Sequence, residues 1–164
     1  MCVNVAWYEV LLRLMRKNIY IVTGMPNSGI DKMVRILDIS GLDVSNNAHN
    51  TYNFEGQEKR VIKLVSNLLF QLPQKYNYKI IFMESDIESC VGFVEKDKDI
   101  IVDNLSKHLG RISKFFLNSD NVEIVIISYE SLLKNPGSEL QVLNGFFHKK
   151  LDFKKAIKQE FKNK

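Results

Sequence analysis

The residues whose types and spacing carry chemistry lie in a glycine-bounded loop, Gly24-Met25-Pro26-Asn27-Ser28-Gly29, between an apolar run and a stretch with helical periodicity. In such a loop, backbone N–H groups and the positive end of the following helix point at one spot, and an anion is stabilised there. Gly24 and Gly29 have the outer spacing of a Walker A motif. Where a nucleoside-triphosphate enzyme needs Lys and then Ser or Thr, however, this chain has Ile30 and Asp31. Lys32 does not stand in for the missing lysine, because two residues along a helix turn the side chain by roughly 200°. The loop argues for anion binding and against an ordinary ATPase or kinase.

Other candidates are less defined. His49 sits in a polar loop, Ser45 to Asn53, and reads either as a general base or as an exposed histidine with no task. Glu55 and Glu58 are alternative bases, or acidic residues opening a helix whose dipole favours them. Glu84, Asp86 and Glu88 fall where a strand meets a helix, and we read them as helix-start residues rather than a metal site. Cys2 and Cys90 make neither a metal-ligand pattern nor a disulfide framework, which fits a reducing cytoplasm.

The elements that must position these groups follow from periodicity. Ile19 to Thr23 reads as a buried strand, and the helix after the loop, ending at Gly41, carries Met33, Val34, Ile36 and Leu37 as its apolar stripe. A helix is expected over Phe54 to Gln71, with Val61, Leu64, Val65, Leu68 and Leu69 buried. A strand is expected over Tyr78 to Met83, then an exposed turn over Glu95 to Asp103. The next helix has Leu105, Leu109, Ile112 and Phe116 at core spacing, while Lys107, His108, Arg111 and Lys114 read as a solvent face. Val122 to Ser128 is almost continuously apolar, as a central parallel strand should be. Asn135-Pro136-Gly137 reads as a turn, followed by a helix with Leu140, Leu143, Phe146 and Phe147 inside and a basic amphipathic helix from Phe153. These elements predict an α/β three-layer sandwich with a mainly parallel sheet, three main strands and a short one at Leu42 to Val44, its loops at Gly24, Ser85 and Tyr129 brought to one edge. With 164 residues, 45% hydrophobic and 26% charged, the chain supports one domain, 18–164, preceded by an extension, 1–17, with helical spacing. The net charge of +4 favours anionic ligands only weakly, and no stretch is long and apolar enough to span a membrane.

The run Gly24 to Val44 resembles the cofactor loop of the sulfotransferases, whose pattern is Gly-x-Pro-Arg/Lys-Ser-Gly-Thr followed by a helix and, in the bacterial branch, Gly-Leu-Pro-Val. Later segments are similar in the same order: Asn50 to Glu58, Leu72-Pro73 with Tyr78 to Glu84, and Ile126 to Phe147. The resemblance covers about Asn18 to Phe153 and implies a P-loop NTPase-like fold. It also implies sulfuryl transfer from 3′-phosphoadenosine 5′-phosphosulfate to a hydroxyl or amine of an unidentified small-molecule or protein acceptor.

On this resemblance Gly24, Pro26, Asn27, Ser28, Gly29 and Ile30 hold the 5′-phosphosulfate, Ser85 falls near the 3′-phosphate, and Tyr129 borders the adenine. His49 or Glu55 then serves as the base. Asn27 replaces the family's basic residue, Ile30 its Thr, and Ser85 and Phe93 its 3′-phosphate ligands, so binding and catalysis are expected to be impaired. Lys32 or Arg35 would have to supply the missing charge. The alternative is a non-catalytic module of the same fold that binds a protein or another anion. Neither nucleic acid nor a membrane is expected as a partner.

Overall fold

The computed structural model describes residues 15–45, 54–57, 60–91 and 97–161. Its centre is a five-stranded, all-parallel sheet in the order β2-β3-β1-β4-β5, built from β1 (Asn18–Gly24), β2 (Val44–Ser45), β3 (Val61–Lys63), β4 (Asn77–Glu84) and β5 (Val122–Ser128). The β1–β4 register runs from Asn18↔Asn77 to Gly24↔Met83, so both strands end at the level of the loop.

Alternation along the strands divides the core. Val22, Ile81, Met83 and Ile127 face one layer, which contains α1 (Ile30–Ile39), α4 (Tyr129–Lys134), α5 (Pro136–Phe146) and α6 (Phe153–Glu160). Ile19, Ile21, Ile80 and Phe82 face the other, with a 3-10 helix (Ser66–Gln71), α2 (Ile87–Val91) and α3 (Lys98–Asn118). Two helical layers on one sheet make the expected sandwich. In α1 the predicted stripe is the buried one, with Met33, Ile36 and Leu37 at 0% exposure.

Five expectations change. The helix expected over Phe54 to Gln71 is instead β3 followed by the 3-10 helix, and Val65 is 58% exposed. Val61 and Ile62 fit a helical stripe and a strand buried on both faces equally well, and tertiary pairing with β1 decides for the strand. β5 is an edge strand, not a central one, and Ile126 is 56% exposed. α3 already begins at Lys98, inside the stretch expected to be a turn. Asn135-Pro136-Gly137 is a helix start: Asn135 Oδ1 accepts from the Ser138 N–H, and Pro136 occupies the first turn, where its missing N–H costs nothing. The short strand after α1 lies at Val44–Ser45, against the expected Leu42 to Val44. Residues 1–14 of the expected extension lie outside the described residues.

Candidate functional site

The loop after β1 has to turn sharply beside β4, and its first glycine permits this. A Cβ on Gly24 would collide with the Met83 backbone, where the Met25 N–H donates to the Met83 carbonyl at 3.0 Å. Ser28, fully buried, donates its hydroxyl to the Met25 carbonyl at 2.6 Å and closes the loop on itself. Asn27 and Gly29 take left-handed φ values of 57° and 76°. Such alternation turns successive N–H groups toward one side and forms an anion-binding nest. Among the described residues the N–H groups of Gly29, Ile30 and Asp31 meet no acceptor, and they open the N-terminus of the ten-residue α1.

Tyr129, the first residue of α4, lies on this loop. Its ring occupies the space that a Cβ on Gly29 would fill, so that position needs glycine both for its backbone angle and for the ring. The structure thus joins Gly24, Pro26, Asn27, Ser28, Gly29, Ile30 and Tyr129. Ser85 is close by, since Asn27 Nδ2 donates to the Cys90 carbonyl and Cys90 Sγ to the Ser85 carbonyl. His49 lies outside the described residues. Glu55 is on an exposed turn whose neighbour Gly56 lines a cavity at the start of β1, the other end of the strand from the loop.

The charges around the loop are arranged against a second anion. Ser85 Oγ donates to Glu130 Oε1 at 2.5 Å, the Asp86 N–H donates to the same oxygen at 3.1 Å, and Ser128 Oγ donates to Glu130 Oε2 at 3.2 Å. The Ser85 hydroxyl above all, with the other donors, holds the Glu130 carboxyl below the usual carboxylate range. Lys32 and Arg35 turn away from the loop: Lys32 Nζ donates to the Glu160 carbonyl at 2.8 Å and Arg35 Nε lies 3.2 Å from the Glu160 carboxylate. Lys63, at the end of β3, is a cation on the loop side, and its Nζ meets Asp31 Oδ1 at 2.5 Å.

Beside the loop opens a cleft of about 260 Å³ lined by Pro26, Ile30, Lys63, Ser66 and His108, among others. Ser66 Oγ and His108 Nε2 are 2.9 Å apart. Burial, with a smaller contribution from Arg111, pushes the His108 pKa below its ordinary value, so the ring is neutral near pH 7 and able to take a proton. The reading of His108 as part of a solvent face is therefore corrected. Lys63 and Ser66 were hidden by the expected helix over 54–71, and Glu130, inside the Ile126 to Phe147 segment that resembles the sulfotransferases, was not singled out. Among the described residues no three metal-ligating side chains gather, and no helix is long and apolar enough to cross a membrane.

The sequence matches no family model and no curated protein. Among solved structures, a sulfotransferase domain from the curacin biosynthetic pathway aligns over 90% of this chain and 79% of that chain, with a TM-score of 0.56 at 11% identity. The fold is sulfotransferase-like. A sugar kinase from Janibacter sp. HTCC2649 aligns over 80% of this chain and 98% of that chain at 9% identity, but its TM-score of 0.36 carries no argument. What the sulfotransferase-like fold contributes here is a parallel sheet that delivers the Gly24 loop, the Ser85 corner and Tyr129 to one edge.

Proposed function

We propose that this chain is a sulfotransferase-like protein that binds a phosphate- or sulfate-bearing ligand on the Gly24–Ile30 loop. The observation that carries the reading is the set of N–H groups at Gly29, Ile30 and Asp31 without an acceptor among the described residues, at the start of a helix and beneath the Tyr129 ring. The cofactor implied by the fold, 3′-phosphoadenosine 5′-phosphosulfate, fits this loop at its 5′ end. It does not fit at the Ser85 corner, where the Glu130 carboxylate already accepts the donors that a 3′-phosphate would use. The loop also lacks a basic side chain at Asn27, and Asp31 opposes an anion unless Lys63 compensates. The binding-module reading is therefore favoured over efficient sulfuryl transfer.

A second reading, residual transfer, is favoured by His108. Its neutral imidazole lines the same cleft as Pro26 and Ile30, and is the histidine we assign as candidate base within the described residues. Calorimetric titration separates the two readings. Adenosine 5′-phosphosulfate is expected to bind and 3′-phosphoadenosine 5′-phosphate to bind no better, with Asn27→Asp, which adds negative charge on the exposed loop, weakening binding roughly tenfold or more. No heat with either ligand on folded protein would refute loop binding. A large preference for the 3′-phosphorylated ligand would restore the transferase reading and direct the search to an acceptor.

A further inference from the structure

A second, larger cavity lies at the opposite end of β1 from the loop. It holds about 760 Å³, the size of a small organic ligand, and is bounded by the start of β1, the start of β3, the end of α1 and the chain after α5. β1 has seven residues, so this cavity and the loop are separated by roughly 20 Å.

Its lining is divided by chemistry. Among the described residues, Arg16, Lys17, Arg60 and Lys149 bring four cations to it, against the carboxylate of Asp43. Tyr20 and Phe147 form an aromatic surface beside them, stacked with ring centroids 5.1 Å apart and planes 28° apart. Part of the positive charge has a local explanation. Arg60 Nε pairs with Asp43 at 2.8 Å, and Lys149 Nζ donates to the Gly41 carbonyl at 3.3 Å, near the negative end of α1. Arg16 has no such account. Among the described residues its Nη1 is buried without a hydrogen-bond partner, and an unsatisfied guanidinium donor is costly where water is excluded. A planar guanidinium is suited to donating two parallel hydrogen bonds to one phosphate.

We infer that this cavity is a binding site for a small organic phosphate, its anionic group held by Arg16 and the neighbouring cations and its apolar body lying on the Tyr20–Phe147 surface. An anionic group matches the unpartnered Arg16 donor, and an aromatic or aliphatic body matches the stacked rings. The site is separate from the loop and does not depend on the reading of the loop given above.

The test is titration of the full chain with 4-nitrophenyl phosphate, followed by calorimetry and by amide chemical shifts. Inorganic phosphate and 4-nitrophenol are the comparison probes. Binding of the ester is expected to exceed that of either half, to weaken with salt, and to shift amides around Tyr20 and Phe147. Arg16→Gln is expected to weaken binding by roughly ten- to a hundredfold, the worth of one charge-assisted contact, and Lys149→Gln at the exposed rim by less. The loop variant Asn27→Asp leaves this binding unchanged. Circular dichroism checks that each variant is folded. If Arg16→Gln does not fold, Lys149→Gln with the shift map decides. No ester binding at millimolar concentration overturns the inference. So does binding that Asn27→Asp abolishes and the cavity variants leave intact, or binding matched by 4-nitrophenol alone.

Discussion

Glu130 concentrates the chemistry of the site into one side chain. Its carboxylate accepts from Ser85, from the Asp86 N–H and from Ser128, three donors on two strand ends, and so joins β4 to β5 at the edge where the loop lies. The folded-state pKa lies below the unfolded value, so the ionised form is the one that stabilises. That contribution is present in full above about pH 4.5 and is lost as pH falls through the folded value. Urea melts of the protein and of Glu130→Gln are therefore expected to differ most near neutral pH, with the difference closing in acid. A gap independent of pH would show that the carboxylate's charge has no part in holding the corner. His108 works in the same direction: its depressed pKa adds stability above about pH 6.5 that is lost on acidification, a second component that Glu130→Gln leaves intact.

At the level of elements, β1, the loop and α1 were legible in the sequence because several signals agreed there. A largely buried strand, glycines at both ends of the loop and a helical stripe leave one way to fold. The stretch from Phe54 to Gln71 had no such agreement. Its apolar residues satisfy helical spacing, but only Val61, Ile62 and Lys63 pair beside β1, and nothing local announces that pairing. The error concealed Lys63 and Ser66, and with them half of the cleft. β5 misled for a related reason: a continuous apolar run signals a parallel strand but does not tell edge from centre. These assignments predict opposite mutational outcomes. Leu37→Ala, at 0% exposure in α1, is expected to cost about 2–5 kcal/mol in a denaturant melt. Val65→Ala, at 58% exposure, is expected to cost less than about 0.5 kcal/mol, whereas the helix first expected over this stretch would have made it a core deletion.

Taken whole, the molecule is a sheet with a candidate site at each end of its strands and, among the described residues, a strand edge at β5. β5 presents five β-branched residues at the sheet edge beside Glu123 and Ser128, with Ile126 56% exposed among the described residues. Unpaired apolar edges are templates for another strand, and a charge there blocks this at little cost to the fold. Ile126→Lys is expected to reduce light scattering in concentrated solution while moving the denaturant midpoint little. Increased scattering, or a large loss of stability, would show that Ile126 is covered in solution.

The clasp between α1 and α6 has a consequence for how the protein is made. Lys32 holds the Glu160 carbonyl across 128 residues of chain, and Phe153 and Ala156 complete the layer over Met33 and Leu37. At roughly 5 to 20 residues per second, a ribosome that has finished α1 needs roughly 6 to 25 seconds to deliver α6. For that interval the helix behind the loop has part of its apolar stripe uncovered. The nascent chain then needs protection longer than its size suggests, and the loop reaches its final shape only after nearly all of the described chain has emerged.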